Sequence, residues 1–309
     1  MVENFMVHPH RPAATLVFLL LRATEYGNCG RFGADAKAGH DRSFAGRPKG
    51  RSEEHPLSLP PAADAHAARV ALECLLETDA PGIAATLPAG FADAAERYVA
   101  LLLDANARLN LTRVTEPGAV ARAHLLDALS ALPVLDGLAP SRAVDLGSGG
   151  GVPGLVLALA RPDVAWTLVD SVGKKCDALR AFAEALGLRS VTVIADRAES
   201  LGHDPQHRER YELVAARACA ALPVLAEYGL PLCAMGGALV AWKGPLTADD
   251  DEVLRGAAAA TLLGGGQPVI HDTGVPALGE HRLVLIPKER RTPERYPRRP
   301  GDPARRPLP

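Results

Sequence analysis

The stretch Asp145-Leu-Gly-Ser-Gly-Gly-Gly-Val-Pro-Gly154 follows a short apolar run at 143–146 and opens a segment that reads as a helix. Gly147, Gly149 and Gly151 remove side chains where the backbone must turn tightly and approach a ligand closely, and Pro153 suits a first helical turn. Such a strand, glycine turn and helix is a nucleotide-binding arrangement. Some twenty residues on, a second apolar run ends Leu168-Val-Asp170. A carboxylate at that position can accept both hydroxyls of a ribose.

Working outward from the turn, apolar runs at 143–146, 165–170, 191–195, 213–216, 238–242, 268–271 and 281–286 alternate with helical patterns. That alternation predicts βαβ units and a mostly parallel, seven-stranded sheet in a Rossmann-like α/β domain. Between the last two runs lies a loop with Gly274, Pro276 and Gly279, so these strands are expected to pair as a C-terminal antiparallel hairpin. Ahead of the domain, helical spacing begins near Ala62, and a second helix is expected over 90–109. Thr115 is expected to cap a third helix, which carries Arg122, His124 and Asp127. The organisation expected is a disordered or non-native N-terminal extension over 1–61, without periodicity from Gly27 to Ser58, a helical layer over 62–139, the methyltransferase-type α/β domain over 140–287 and a basic Pro/Arg-rich tail over 288–309.

Composition excludes several classes. With 48% hydrophobic and 23% charged residues, the 309-residue chain is neither disordered nor fibrous. The net charge of -2 gives no global attraction for a polyanion. The basic residues concentrate in the tail, where eight cations stand against three acids and six prolines favour an extended chain. Arg298 and Arg299 lie in that tail, which is expected to serve RNA affinity and not donor chemistry. Five cysteines without a C-x-x-C pair or clustered histidines predict no metal site and buried, reduced thiols in a cytoplasmic protein. The apolar run 13–21 is too short to span a bilayer, so no membrane segment is expected. No Met lies between Met6 and Met235, so a shorter natural start would need a non-AUG codon.

Gly149-Gly-Gly151-Val-Pro-Gly154 also satisfies the dinucleotide fingerprint, so a nicotinamide-dependent oxidoreductase competes with a methyltransferase, as does a non-catalytic RNA-binding accessory. Asp145 argues for the methyl donor. A carboxylate beside the turn suits a cationic amino-acid end and repels a pyrophosphate. Lys174 and Lys175 open the helix after Asp170, where the helix dipole disfavours cations, which points to an external anion such as RNA phosphate.

The motifs Asn110-Leu-Thr, His124-Leu-Leu-Asp127, the glycine turn, Leu168-Val-Asp-Ser-Val-Gly-Lys-Lys175, Arg217-Ala218, Trp242-Lys-Gly244 and Arg282-Leu-Val-Leu-Ile286 stand in an order that resembles a known family. It is the bacterial small-subunit ribosomal RNA guanine-N7 methyltransferase G family, also called glucose-inhibited division protein B. The resemblance runs from about Tyr98 to the C-terminus. It implies a class I S-adenosylmethionine-dependent fold and methyl transfer to N7 of a guanine in the decoding-region loop of 16S ribosomal RNA; separately, a monomer is expected. It places the donor site on Gly147 and Val152, on Ala198 and Glu199, and on Arg217, with Asp170 at the acidic ribose position. It also implies RNA contacts from Arg122 and His124. One departure is that Ala123 stands directly before His124 where the family usually has Arg, with Arg122 one place earlier. Because guanine N7 carries a lone pair and no proton, no catalytic proton-transfer residue is expected.

Asp170→Ala is expected to weaken binding of S-adenosylmethionine by about 1.5–3 kcal/mol for each charge-assisted ribose bond lost, read by calorimetric titration. Unchanged affinity in a folded variant would remove Asp170 from the site.

Overall fold

The computed structural model describes residues 61–309, so the expectations for the N-terminal extension, including the run 13–21 and Cys29, lie outside the described residues. Seven strands form one sheet: β1 (Arg142–Leu146), β2 (Ala165–Asp170), β3 (Val191–Ala195), β4 (Tyr211–Arg217), β5 (Cys233–Lys243), β6 (Val269–Asp272) and β7 (Arg282–Pro287). Their order is β3-β2-β1-β4-β5-β7-β6. The first five pair in parallel, while β7 runs antiparallel to both β5 and β6. The chain therefore moves outward from β1 to β3, returns to β4 on the other side of β1, and creates a topological switch point between β1 and β4. Ligands of open α/β sheets bind at such points, outside the carboxyl ends of the strands.

Both faces of the sheet are covered, which is why its strands read as near-continuous apolar runs. Alternate residues serve opposite faces: Ala143, Leu213, Val240 and Leu285 belong to one core, and Val144, Val214, Leu239 and Ile286 to the other. The first core takes in the N-terminal helices α1 (Pro61–Asp79), α2 (Pro81–Ala84) and α3 (Phe91–Leu109). It also takes in a helical run made of α4 (Pro117–Val120), a π-helical segment (Ala121–Leu126) and α5 (Asp127–Leu129), followed by α6 (Leu132–Leu138). The stretch Pro117–Leu138 is apolar and long enough to cross a membrane by composition alone, but most of it is buried in this core. Helices α7 (Gly154–Ala160) and α8 (Gly173–Ala185) complete that side. The second core lies under α10 (Leu222–Gly229) and α11 (Asp251–Leu262), with α9 (Ala198–Leu201) at its margin.

Three local expectations are corrected. Glu116, not Thr115, caps the third helical run: its carboxylate accepts from Gly118 N at 2.9 Å and Ala119 N at 2.6 Å, because Pro117 then occupies the first turn. Strand β5 begins at Cys233 rather than near 238, passing through Gly236 and Gly237. A Cβ at Gly237 would lie 2.5 Å from Glu212 O, so the glycine that hides the strand in the sequence is what lets β4 and β5 close up. The tail 288–309 is not an extended basic arm. Tyr296 and Leu308 are buried in the second core, a short helix α12 (Asp302–Arg305) forms near the end, and Lys288 is buried against Leu230 O, Thr292 and Glu209.

The helical layer is tied to the glycine turn by one buried phenol, since Tyr98 Oη donates to Gly150 O at 2.9 Å. Tyr98→Phe leaves that carbonyl without its partner and is expected to cost about 1 kcal/mol. For a domain of this size that lowers Tm by about 2–4 °C in calorimetry. An unchanged Tm would show that the contact does not hold the layers together.

Candidate functional site

The glycine turn is folded onto the end of β2 by its own backbone. Gly147 N and Ser148 N both donate to Val169 O, at 2.9 and 3.0 Å, and Gly151 N donates to Ser148 O at 2.7 Å. The Ser148 hydroxyl donates to Asp145 O and accepts from Val169 N at 3.1 Å. Ser148 is thus a fixing point of the turn, a role that its place among glycines does not reveal in the sequence. Gly147, Gly149 and Gly151 all have positive φ, of 73°, 56° and 102°. At Gly151 a Cβ would in addition meet Leu155 Cδ1 at 2.5 Å, so no other residue fits there.

Two buried carboxylates complete the turn. Asp170 accepts from Gly149 N at 3.0 Å through Oδ2 and from Val172 N at 2.9 Å through Oδ1. Each oxygen keeps a second lone pair, so Asp170 can still receive two hydroxyls. Removing it also frees the turn, and Asp170→Asn is the milder companion to the alanine variant. Asp145 accepts from Gly154 N at 3.0 Å through Oδ2, and the close approach requires glycine because a Cβ at 154 would sit 2.6 Å from that oxygen. Its other oxygen, Oδ1, is buried without a hydrogen-bond partner. Desolvation pushes the Asp145 carboxyl up to about 6, against weaker stabilisation from Ser148, Gly154 and Arg217. An unpartnered carboxylate oxygen beside a nucleotide turn fits a cation and not a phosphate.

At the carboxyl ends of β1, β2 and β3 a cleft of about 200 Å³ is lined by Gly147, Asp170, Ser171, Asp196, Arg197, Ala198, Glu199, Cys219 and Tyr228. The structure therefore brings Gly147, Asp170, Ala198 and Glu199 together, as the sequence placed them, with Gly149 bonded to Asp170. Gly151 and the half-buried Val152 lie further along the turn and do not line the cleft. Tyr228 and Cys219 also line the cleft, and no motif or spacing in the sequence marks either of them. Although the residue opens onto the cleft, the protein packed around its thiol desolvates it and pushes it up to about 11, so Cys219 is a neutral wall. The expectation of uniformly buried thiols is corrected: Cys176 and Cys233 are buried, whereas Cys74 and Cys219 are exposed residues.

Arg217, expected at the donor, is held from the other side. Its Nη1 donates to Asp127 Oδ2 at 2.7 Å and to Ala123 O at 2.5 Å. Asp127 also accepts from His281 Nδ1 at 2.9 Å, and its carbonyl accepts from Trp242 Nε1 at 2.8 Å. His124 is buried, with Nε2 2.8 Å from Thr112 Oγ1 and Nδ1 3.3 Å from Arg217 Nη2. Burial and the Arg217 charge hold its imidazole below its usual value, so it is neutral. His124 is consequently a core partner of Arg217 and does not face solvent, which corrects its expected RNA contact. Arg122, by contrast, is exposed, as is Lys174, while Lys175 is half-buried. In the tail Arg299 is exposed, but Arg298 forks onto the fully buried Glu227, with Nη2 2.5 Å from Oε2. Among the described residues no group of three or more His, Cys, Asp or Glu is placed to hold a metal ion.

A β3-β2-β1-β4-β5-β7-β6 sheet with β7 antiparallel, a glycine turn after β1 and an acid closing β2 defines a class I S-adenosylmethionine-dependent methyltransferase. A family model described as rRNA small subunit methyltransferase G matches residues 92–273. The ribosomal RNA small subunit methyltransferase G of Roseiflexus castenholzii is 46% identical over 212 residues, covering 69% of this chain and 89% of that protein. The protein of the same name from Deinococcus deserti is 46% identical over 211 residues, covering 67% of this chain and 85% of that one. Among solved structures, the S-adenosylmethionine-dependent methyltransferase SibL in its apo form aligns with a TM-score of 0.46 at 16% identity, over 72% of this chain and 74% of that one. The chain belongs to the rRNA small subunit methyltransferase G family.

The raised Asp145 carboxyl makes a prediction about stability. A carboxyl lifted from 3.8 to about 6 on folding contributes stability that is fully present below 3.8 and lost as pH rises through about 6. Asp145→Asn removes that loss, so its Tm relative to the unaltered protein is expected to climb between those two pH values and then level off. A difference that stays flat across the window would contradict a buried, unpartnered Asp145.

Proposed function

We propose that this protein transfers the methyl group of S-adenosylmethionine to N7 of a guanine in the decoding-region loop of 16S ribosomal RNA, acting in the cytoplasm as a monomer without a metal. When bound, S-adenosylmethionine supplies an electrophilic methyl on a sulfonium. The residues of this chain bind and orient. Asp170 receives the ribose hydroxyls on its spare lone pairs, Ala198 and Glu199 form the adenine-side wall, and the turn 147–152 carries the methionyl end. Asp145 and Arg217 supply opposite charges for the ends of that amino acid. Arg122, Lys174, Lys175 and Arg299 offer cations to RNA phosphate, which position a nucleic acid without reading its sequence.

The observation that carries this reading is the state of the turn's amides. Those of Gly147, Ser148, Gly149, Gly151 and Gly154 are all committed to Val169, Asp170, Ser148 and Asp145. A pyrophosphate seeks free backbone N–H groups at a helix N-terminus, and at these five positions it would find none. A cationic donor needs none of them and gains from the buried acid. Orientation of an already nucleophilic N7 against the methyl supplies the rate, so no side chain is assigned a proton to move.

Small-subunit particles from cells lacking the enzyme are the substrate that tests this. The protein is expected to transfer labelled methyl from the donor to them, with 7-methylguanosine mapping to the decoding-region loop. Label in another base or at another ring position would overturn the substrate assignment. Absence of transfer with donor bound would favour an accessory role.

A further inference from the structure

Helix α9 is four residues long and follows β3, an edge strand, so little of its own structure holds it in place. It nevertheless carries Ala198 and Glu199, one wall of the donor cleft. The tail supplies the missing hold. Glu199 is 3% exposed, and its Oε1 accepts from Gly301 N at 2.8 Å. Immediately beyond α9, His203 Nε2 is 2.7 Å from Pro297 O, and Arg208 bridges Gly202 O to Tyr296 O at 2.6 and 2.8 Å. A Cβ at Gly202 would lie 2.7 Å from the Pro297 ring, so the two segments are in close contact. The tail in turn is fixed to α10 by Arg298, whose backbone N, Nε and Nη2 all donate to the buried Glu227 carboxylate. Glu199 thus borders the donor cleft on one side and, on the other, a second cleft lined by His203, Arg295, Pro297 and Arg299.

We propose that the C-terminal segment is a positioning strap: Arg298, clamped on Glu227, presents the Gly301 amide to Glu199 and so sets the adenine-side wall of the donor cleft. The inference rests on the donor reading of that cleft. It departs from the division expected from sequence, in which the tail serves RNA alone. Three long-range anchors, to Glu199, His203 and Glu227, converge on α9 and its neighbour α10, and a basic tail that merely solubilised the chain would need none of them. Because Glu227 is fully buried, the clamp is specific for a forked cation. A lysine offers a point charge that cannot satisfy both carboxylate oxygens in the same geometry.

The test is calorimetric titration of the full-length protein with S-adenosylmethionine, run well below each variant's Tm. Saturable binding by the unaltered protein is the first requirement, and its absence would fail the donor reading itself. Given that binding, Arg298→Ala is expected to weaken donor affinity by about tenfold, the scale of one lost charge-assisted contact, with Arg298→Lys intermediate. Arg306→Ala, an exposed change on the same tail, is expected to leave it unaltered. Hydrogen exchange of amides 198–203 should quicken in the Arg298 variants and not in Arg306→Ala. Should Arg298→Ala fail to fold with Glu227 left alone, Gly301→Ala serves: nothing lies within 4 Å of a Cβ there, but φ is +84°, so the substitution strains the backbone that presents the amide to Glu199 without a clash. Folded Arg298→Ala or Gly301→Ala protein with unchanged donor affinity and unchanged exchange at 198–203 would overturn the strap, leaving a contact that adds stability alone.

Discussion

The Asp170 carboxylate, accepting at once from Gly149 N and Val172 N, is the constraint from which the site follows. It joins the glycine turn after β1 to the turn after β2, across two adjacent strands on one side of the switch point. With that join made, the turn can adopt its left-handed glycine conformations and present Gly147 to the cleft. Asp145 adds a second closure through Gly154 N at the cost of burying a carboxyl whose other oxygen finds no partner. Buried polar atoms are seldom left in that condition unless a site uses them. In the proposed reading the cationic end of the donor lies on the side of the turn where this oxygen is buried, whereas the equally unpartnered Trp166 Nε1 lies away from the cleft.

Around that centre the fold supplies two supports. On one face, Asp127 gathers Arg217, His281 and the Trp242 indole, so the helical layer, β4, the start of β7 and the end of β5 meet at one buried acid. Breaking such a buried pair strands a charge, which makes each partner expensive to replace singly. The π-helical turn at 121–126 places Ala123 O and His124 where Arg217 can reach them both. On the other face, the tail holds α9. The cleft therefore lies between two walls that are each secured from outside the sheet.

The legible part of this architecture was what repeats or stands in one short stretch. The glycine turn, Asp170, the seven strands and the closing antiparallel pair all follow from spacing and residue type within a few positions. What escaped the sequence depends on contacts between distant residues. His124 is expected at the RNA from the family resemblance, and only the fold shows Thr112 and Arg217 beside its two ring nitrogens. Arg298 looks like one more tail cation until Glu227, 71 residues earlier, is found beneath it. Glu116 rather than Thr115 is the cap because a longer acidic side chain reaches both free amides beyond Pro117, those of Gly118 and Ala119, which propensity alone does not decide.

In the proposed reading, a turn with committed amides and two buried acids selects a sulfonium donor over a dinucleotide. Parallel calorimetric titrations of the same protein with S-adenosylmethionine and with NAD in its oxidised and reduced forms measure that choice directly. Saturable binding of S-adenosylmethionine with no measurable heat from either nicotinamide form is the predicted result. Saturable binding of NAD, with S-adenosylmethionine giving none, would contradict the account.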